Sequence, residues 1–175
     1  TFCGLELGMT KDKCSIEIHQ RKYIHQLLVK YDLCFTKPLL AISMAKEVDE
    51  EEPSEEELRE LQMRAGELNW LATRTRPDLA YYVSVLASAL KKHKDWAMQL
   101  AKKILKYLSG TKDQGLVCSC PVGASRGAPS ATDAPVIDIY SDAGFAGHGT
   151  RSQTGIIIFV AGNPVLWRSA RQTTT

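Results

Sequence analysis

Asp142 is the residue whose surroundings most favour chemistry. It follows the hydrophobic stretch 136–140 and precedes Ala143 and Gly144, two small residues that leave room beside its carboxylate. Hard cations such as Mg²⁺ prefer oxygen ligands, so a carboxylate at the end of a strand is compatible with a metal site. An aspartate close before a glycine also forms turns without any metal. The residues alone leave both interpretations open.

The chain carries five cysteines, and their spacing matches no common metal or redox motif. Cys118 and Cys120 lie two apart on an expected strand and would share a face, but no His or Cys lies nearby at ligand spacing. We therefore expect free thiols in a reducing compartment. The sequence also contains no Gly-x-Ser-x-Gly motif, Walker loop or paired His-Glu motif.

Charge is separated along the chain, although the formal net charge is only +2. The stretch 47–60 is strongly acidic, which is typical of a solvated linker and a helix start; the glycine-punctuated spacing of a calcium loop is absent. A later stretch is basic, and its candidate nucleic-acid-binding residues are Lys91, Lys92, Lys94, Lys102, Lys103 and Lys106. Such lysines either cover the solvated face of a helix or follow a phosphate backbone. The sequence does not decide between these interpretations.

Periodicity predicts the first half of the fold. Alternating apolar residues over 2–18 predict a β-hairpin, and apolar residues at helical spacing from Gln20 to about Asp32 predict an amphipathic helix. The acidic stretch 40–54 lacks periodicity and is expected to be a linker. Ser54 and Glu57 form a capping box that predicts a helix over about 55–72.

Two further helices and a sheet are predicted after this point. Pro77 suits the first position of a helix, Asp95 is expected to cap the next one, and Gly110 to end it in a left-handed conformation. The aromatic residues near the apolar stripes are expected to pack in the core, and these are Trp70, Trp96 and Tyr107. Strands are predicted at 115–120, 136–140, 155–160 and 165–168, and the last three would form an antiparallel sheet with one bare face.

Bulk composition favours a globular protein with one ordinary core or two small ones. The chain has 175 residues, 44% hydrophobic and 24% charged. We find no run of roughly 20 apolar residues to span a membrane and no secretory leader. The expected location is therefore intracellular, cytoplasmic or nuclear, and the start looks internal to a longer chain.

Several blocks of sequence occur in a recognisable order. They are FCGLEL at 2–7, IHQRKYI at 18–24, TRPDL at 75–79, AKKILKYLSGT at 101–111, YSDAGFAG at 140–147, RSQTG at 151–155 and GNPVLWRS at 162–169. In this order and at this spacing, the chain resembles the Pol polyproteins of copia-type retrotransposons. The resemblance covers almost the whole chain, although no single block is convincing alone.

The resemblance implies an α+β fold in three parts. Residues 1–19 would end the reverse transcriptase palm with a primer-grip-like hairpin at Gly4, Leu5 and Glu6. Residues 20–120 would form a helical thumb- or connection-like region that contains the linker 40–54. A second linker at 121–134 would lead to a truncated ribonuclease H-like antiparallel sheet at 135–175.

The same resemblance implies a function and a cofactor. Asp142 corresponds to the first metal-binding carboxylate of ribonuclease H, so Mg²⁺ is implied for the intact protein. The polymerase Asp-Asp motif is expected upstream of Thr1, and the later nuclease carboxylates are expected beyond Thr175. Because a two-metal site needs several carboxylates, we expect no tightly bound metal and no activity in this chain alone.

The expected partners are a primer-template or RNA/DNA hybrid and other parts of the polyprotein, with no membrane. In the intact protein, this chain would take part in RNA-directed DNA synthesis and in handling the hybrid. Two alternatives remain, namely a non-catalytic nucleic-acid-binding module and a helical protein-interaction module.

Overall fold

The computed structural model describes residues 2–11, 14–44, 52–119, 136–144 and 152–172. The elements, in chain order, are β1 Glu6–Met9, β2 Ser15–His19, α1 Arg21–Lys30, α2 Glu55–Arg74, a 3₁₀ turn Pro77–Leu79, α3 Ala80–Ala89, α4 Lys94–Gly110, β3 Leu116–Ser119, β4 Ile137–Gly144, β5 Gln153–Val160 and β6 Asn163–Arg171. Helices and antiparallel strands occur together, which confirms the predicted α+β class.

In the described part of the chain, four helices bury one apolar core. The apolar stripes predicted from helical spacing face inward, and their most buried members include Ile24, Leu68, Leu86, Ile104 and Leu108, each exposed by 1% or less. Trp96 also lies in this core, as predicted. Within the described ranges, no helix has the length and apolar character needed to cross a membrane.

The start of α2 confirms the predicted capping box. The Ser54 hydroxyl accepts from the Glu57 backbone N–H at 3.3 Å, and the Glu57 carboxylate accepts from the Ser54 backbone N–H at 2.8 Å. The hydrogen bond from the Ser54 backbone N–H is the main reason that the pKa of the Glu57 carboxyl is below its ordinary value, and the hydrogen bond from Lys94 is the second. Each bond satisfies a donor that the first turn of a helix leaves open.

The two predicted ends of α4 were wrong in detail. The N-cap is His93, and Asp95 lies inside the first turn, where its charge still favours the positive end of the helix dipole. Gly110 is the last helical residue and does not adopt a left-handed conformation. A Cβ on Gly110 would lie 2.9 Å from the Pro38 Cβ, so this glycine permits close packing of the 38–39 segment.

The N-terminal hairpin is confirmed, and it gains a strand that the sequence did not assign to it. β3 pairs antiparallel with β2, so the sheet order is β1-β2-β3. In this register Ile16 lies opposite both Met9 and Cys118. The strand that follows α4 therefore returns the chain to the hairpin.

The second sheet has the predicted three antiparallel strands, in the order β4-β5-β6. Its tight turn is Ala161-Gly162, with φ of 49° and 75°, so β6 begins at Asn163 rather than at Val165. One face packs toward α2 and α3, and the other leaves Ile139 63% exposed. The predicted bare face is therefore present in the described strands.

The two predicted linkers remain predictions. The stretch 121–134 lies outside the described residues, as does much of 40–54. At the start of the latter, Ile42 is buried, and just before it the Leu39 N–H donates to the Lys106 carbonyl at 3.1 Å. The segment 39–42 therefore packs against α4.

Candidate functional site

Asp142 lies inside β4, whereas the strand predicted at 136–140 ends before it. The strand continues to Gly144 because β5 supplies pairing partners along its whole length, and Asp142 lies opposite Gly155. A glycine as cross-strand neighbour offers no side chain to crowd the carboxylate. The residue is exposed, so its carboxylate is open to solvent.

Asp142 lies on the wall of a cleft of about 460 Å³ between the start of α3 and the second sheet. Pro77, Ala80 and Tyr81 form part of the helical wall. The sheet contributes Gln153, Trp167, Ser169 and Arg171, among others. An aromatic and small-residue lining with a few polar groups is typical of a binding cleft.

Two side chains hold the sheet against the helices beside this cleft. Gln153 donates through Nε2 to the Ser84 hydroxyl at 2.9 Å and to the Ser169 hydroxyl at 2.8 Å. Trp167 donates through Nε1 to the Ala72 carbonyl at 2.6 Å. A second cleft of about 620 Å³ lies on the other side of Trp167, against α2 and α3. The contact between sheet and helices is therefore partly polar and incompletely filled.

The described residues do not by themselves fit a Mg²⁺ ion. No group of three or more His, Cys, Asp or Glu side chains gathers within that part of the chain, and Asp142 is a single carboxylate. A two-metal centre needs several carboxylates to hold ions about 4 Å apart. A role for Asp142 as a metal ligand therefore needs ligands from outside the described residues.

The predicted primer-grip-like residues form a second tight turn. Cys3 and Gly4 have φ of 48° and 77°, and Phe2 and Leu5 exchange backbone hydrogen bonds of 2.8 and 2.9 Å. Gly4 packs over Trp70, since a Cβ there would lie 3.6 Å from the indole Cζ2. This turn thus presents backbone, with an exposed Gly4, at the edge of the hairpin.

Glu6 has a different role from the turn that precedes it. Its carboxylate lies 2.9 Å from His19 Nδ1 and 3.7 Å from Lys22 Nζ, and only 12% of its side chain is exposed. Its neighbour Leu5 is half-buried. Glu6 therefore ties β1 to the end of β2 and the start of α1.

Trp70 and Tyr107, predicted to be core residues, are half-buried. The Arg74 guanidinium lies 4.7 Å from the Trp70 ring centroid. The Tyr107 hydroxyl donates to Asp78 at 3.1 Å. Both aromatic rings therefore lie at the rim of the core, with a polar contact on one side.

The six candidate lysines differ in their contacts and in their exposure. Lys94 pairs with Glu57 at 3.2 Å, and Lys103 donates to the Ser43 carbonyl at 2.9 Å. The exposed members are Lys91 and Lys92, after α3, and Lys102, on α4, while Lys106 is half-buried. Their role in nucleic-acid binding therefore stays a prediction, with Lys91, Lys92 and Lys102 as the exposed members.

Sequence reasoning missed the residues that join the parts of the molecule. Gln153 and Ser84 are 69 residues apart, and Trp167 and Ala72 are 95 apart. Neither pair has a signal in local spacing. The residue type of Trp167 gave a weak indication of its own, because a buried indole N–H requires a hydrogen-bond acceptor.

Comparison with known proteins connects this geometry to a family. The chain is 28% identical over 180 residues to the Retrovirus-related Pol polyprotein from transposon RE1 of Arabidopsis thaliana. It is 29% identical over 178 residues to the polyprotein from transposon RE2 of the same plant. Each match covers 98% of the chain, and the chain spans 11% of the length of each polyprotein.

A further relative has a different description. The chain is 33% identical over 111 residues to Secreted RxLR effector protein 161 of Plasmopara viticola, which covers 62% of the chain and 70% of that protein. No protein-family model matches the chain. No solved structure matches it significantly.

The matches to the transposon polyproteins extend along almost the whole chain and include the described helices and strands. They confirm the resemblance to copia-type elements that the ordered blocks indicated. Along almost its whole length, the chain is similar to a segment of retrotransposon Pol polyproteins.

Proposed function

We propose that this chain joins the end of the reverse transcriptase to the start of the ribonuclease H in a retrotransposon Pol polyprotein. In the intact protein it contributes to RNA-directed DNA synthesis and holds the primer-template or RNA/DNA hybrid. The observation that carries the proposal is the match to Pol polyproteins along 98% of the chain, in a region that ends with the Asp142 sheet. The chain spans 11% of those relatives, so the chemistry is a property of the larger protein.

Asp142 has a specific role in this proposal. It supplies one carboxylate to a Mg²⁺ site that further carboxylates of the intact polyprotein complete. The supporting geometry is its exposed position opposite Gly155, beside an open cleft. The hairpin turn at Gly4 contributes in another way, by presenting backbone to the primer strand.

The isolated chain is expected to cleave no RNA in an RNA/DNA hybrid at millimolar Mg²⁺, because one carboxylate holds a Mg²⁺ ion weakly. The measurement is gel analysis of end-labelled RNA, with Asp142→Asn as the matched control. Both proteins should match the protein-free sample. Mg²⁺-dependent cleavage that disappears in Asp142→Asn would contradict the expected inactivity.

A polyprotein segment extended in both directions tests the role of Asp142 itself. Asp142→Asn should abolish its cleavage of the hybrid, and retained cleavage would show that Asp142 is not a ligand of the Mg²⁺ site.

A non-catalytic nucleic-acid-binding module is the second candidate, favoured by the exposure of Lys91, Lys92 and Lys102. For duplex DNA, each phosphate contact contributes about −0.9 to the slope of log K against log salt. Replacing these three lysines with alanine should reduce the slope by up to about 2.7, measured by fluorescence anisotropy at several salt concentrations. Lys94→Ala is the control, because the Glu57 ion pair already occupies its charge.

An unchanged slope in the triple variant would remove the lysines from the binding surface. Association with a protein that is indifferent to salt and to these lysines would instead favour the helical protein-interaction module. The exposed apolar residues of the hairpin sheet, Leu7, Met9 and Ile16, are the surface to test in that case.

A further inference from the structure

The side chain of Asn163 joins the two sheets. Its Oδ1 accepts from the Ser119 backbone N–H at 2.7 Å, and its Nδ2 donates to the Ser119 carbonyl at 3.0 Å. Nδ2 also donates to the Ala161 carbonyl at 3.1 Å. A carboxamide has one acceptor and one donor side, as a peptide group does, so Asn163 bonds Ser119 as a neighbouring strand would.

The position of this contact makes it a joint between two parts of the molecule. Ser119 ends β3, which pairs with β2 of the hairpin sheet. Asn163 begins β6, directly after the turn that connects it to β5, and β5 pairs in turn with β4. The turn is also fixed to the start of β4, since the Ala161 N–H donates to the Val136 carbonyl at 2.8 Å. A hydrogen-bonded path therefore runs from the hairpin to the strand that carries Asp142.

We infer that Asn163 is a positioning residue that fixes the spacing between the hairpin turn at Gly4 and the carboxylate of Asp142. The functional meaning of that spacing rests on the proposed function, because the hairpin would hold a primer strand and Asp142 would face the hybrid. Two further polar contacts of the second sheet, through Gln153 and Trp167, reach the helices. Asn163 therefore bonds the second sheet directly to the hairpin sheet, whereas those contacts bond it to the helices.

The chemistry of the amide makes the inference specific. Alanine removes both hydrogen bonds to Ser119 and the one to the Ala161 carbonyl, and it leaves the Ser119 backbone groups without this partner. An ionised aspartate keeps the acceptor but turns the donor into an oxygen that faces the Ser119 carbonyl. A protonated aspartate has one donor and one acceptor again and can restore both bonds, which for an ordinary carboxyl requires a pH near or below about 4.

The test measures the distance between the two sheets by double electron–electron resonance. Spin labels are placed at Met9 and Ile139, which are 65% and 63% exposed, in a chain whose native cysteines are replaced by serine. The parent should give one narrow distance distribution at pH 7. Asn163→Ala and Asn163→Asp should each broaden it at least twofold, while far-UV circular dichroism stays unchanged. Lowering the pH toward 4 should narrow the distribution of Asn163→Asp and leave Asn163→Ala broad.

A parent-like distribution in Asn163→Ala at pH 7 would overturn the inference. So would equal behaviour of the alanine and aspartate variants at low pH while the parent distribution stays narrow. If the distance distribution of the parent also changes on acidification, the comparison of Asn163→Ala with the parent at pH 7 decides whether the inference holds. If Asn163→Ala alters the circular dichroism, Asn163→Asp at pH 7 takes its place in that comparison. The measurement uses no nucleic acid, so its failure bears on the joint alone and is distinct from a failure of the cleavage or binding experiments.

Discussion

Replacing Asp78 with alanine is expected to lower the free energy of unfolding by about 3 kcal/mol, because it leaves the buried Arg76 guanidinium without its carboxylate. Arg76 has 1% of its side chain exposed, and it donates from Nε to Asp78 Oδ1 at 3.0 Å and from Nη2 to Oδ2 at 2.7 Å. The estimate takes the lower end of the range for buried ion pairs, since 35% of the Asp78 side chain is exposed.

The Arg76 network explains why this site matters for the fold. Arg76 also donates to the Thr111 carbonyl at 2.9 Å and to the Thr111 hydroxyl at 2.8 Å, so it ties the turn before α3 to the end of α4. Burial, followed by the Asp78 carboxylate, raises the pKa of Tyr107 above its ordinary value. The TRPD sequence, part of one of the ordered blocks, therefore stabilises the fold by joining the turn before α3 to the end of α4.

Urea unfolding followed by circular dichroism measures the Asp78→Ala effect. Glu55→Ala is the control, because the Glu55–Arg59 pair of 3.2 Å lies on the exposed surface of α2. Exposed pairs of this kind contribute about 0.5 kcal/mol or less. Equal losses in the two variants would show that the Arg76 charge finds solvent, and would contradict a buried lock.

Replacing Gly115 with alanine is expected to lower the free energy of unfolding by about 1 to 3 kcal/mol, as overpacking of a closed site does. A Cβ on Gly115 would lie 2.4 Å from the Ile18 carbonyl oxygen and 2.8 Å from the His19 Cβ. Since a backbone oxygen cannot rotate away, β3 must move from β2. The hairpin sheet would lose its third strand before the helices lose their core.

Gly8→Ala is the matched control for this variant. Gly8 lies in β1 of the same sheet, and a Cβ there meets no heavy atom within 4 Å. Its effect should be close to zero or slightly stabilising, because alanine reduces the freedom of the unfolded chain. Hydrogen exchange of the β2 amides should speed up in Gly115→Ala and stay unchanged in Gly8→Ala. Unchanged exchange in both would mean that β3 accommodates the methyl group.

Several features could be predicted from the sequence because they depend on neighbours within one or two turns. The helical spacing of apolar residues defined the buried faces of the helices, and Ser54 with Glu57 defined the start of α2. Alternation defined the hairpin and the later strands within a few residues. The ordered blocks also indicated the family, because a long polyprotein preserves the order of its segments.

Other features depended on which distant segments meet, and local spacing carries no information about that. The pairing of β3 with β2 extended the hairpin sheet, and the pairing of β4 with β5 placed Asp142 inside a strand. Lys94 and Lys103 bond to Glu57 and to the Ser43 carbonyl, which lie 37 and 60 residues away along the chain. The sequence by itself indicated the helices and strands and the resemblance to retrotransposon Pol polyproteins. The tertiary structure decided what the residues at their surfaces do, because that depends on side chains brought together from parts of the chain up to 95 residues apart.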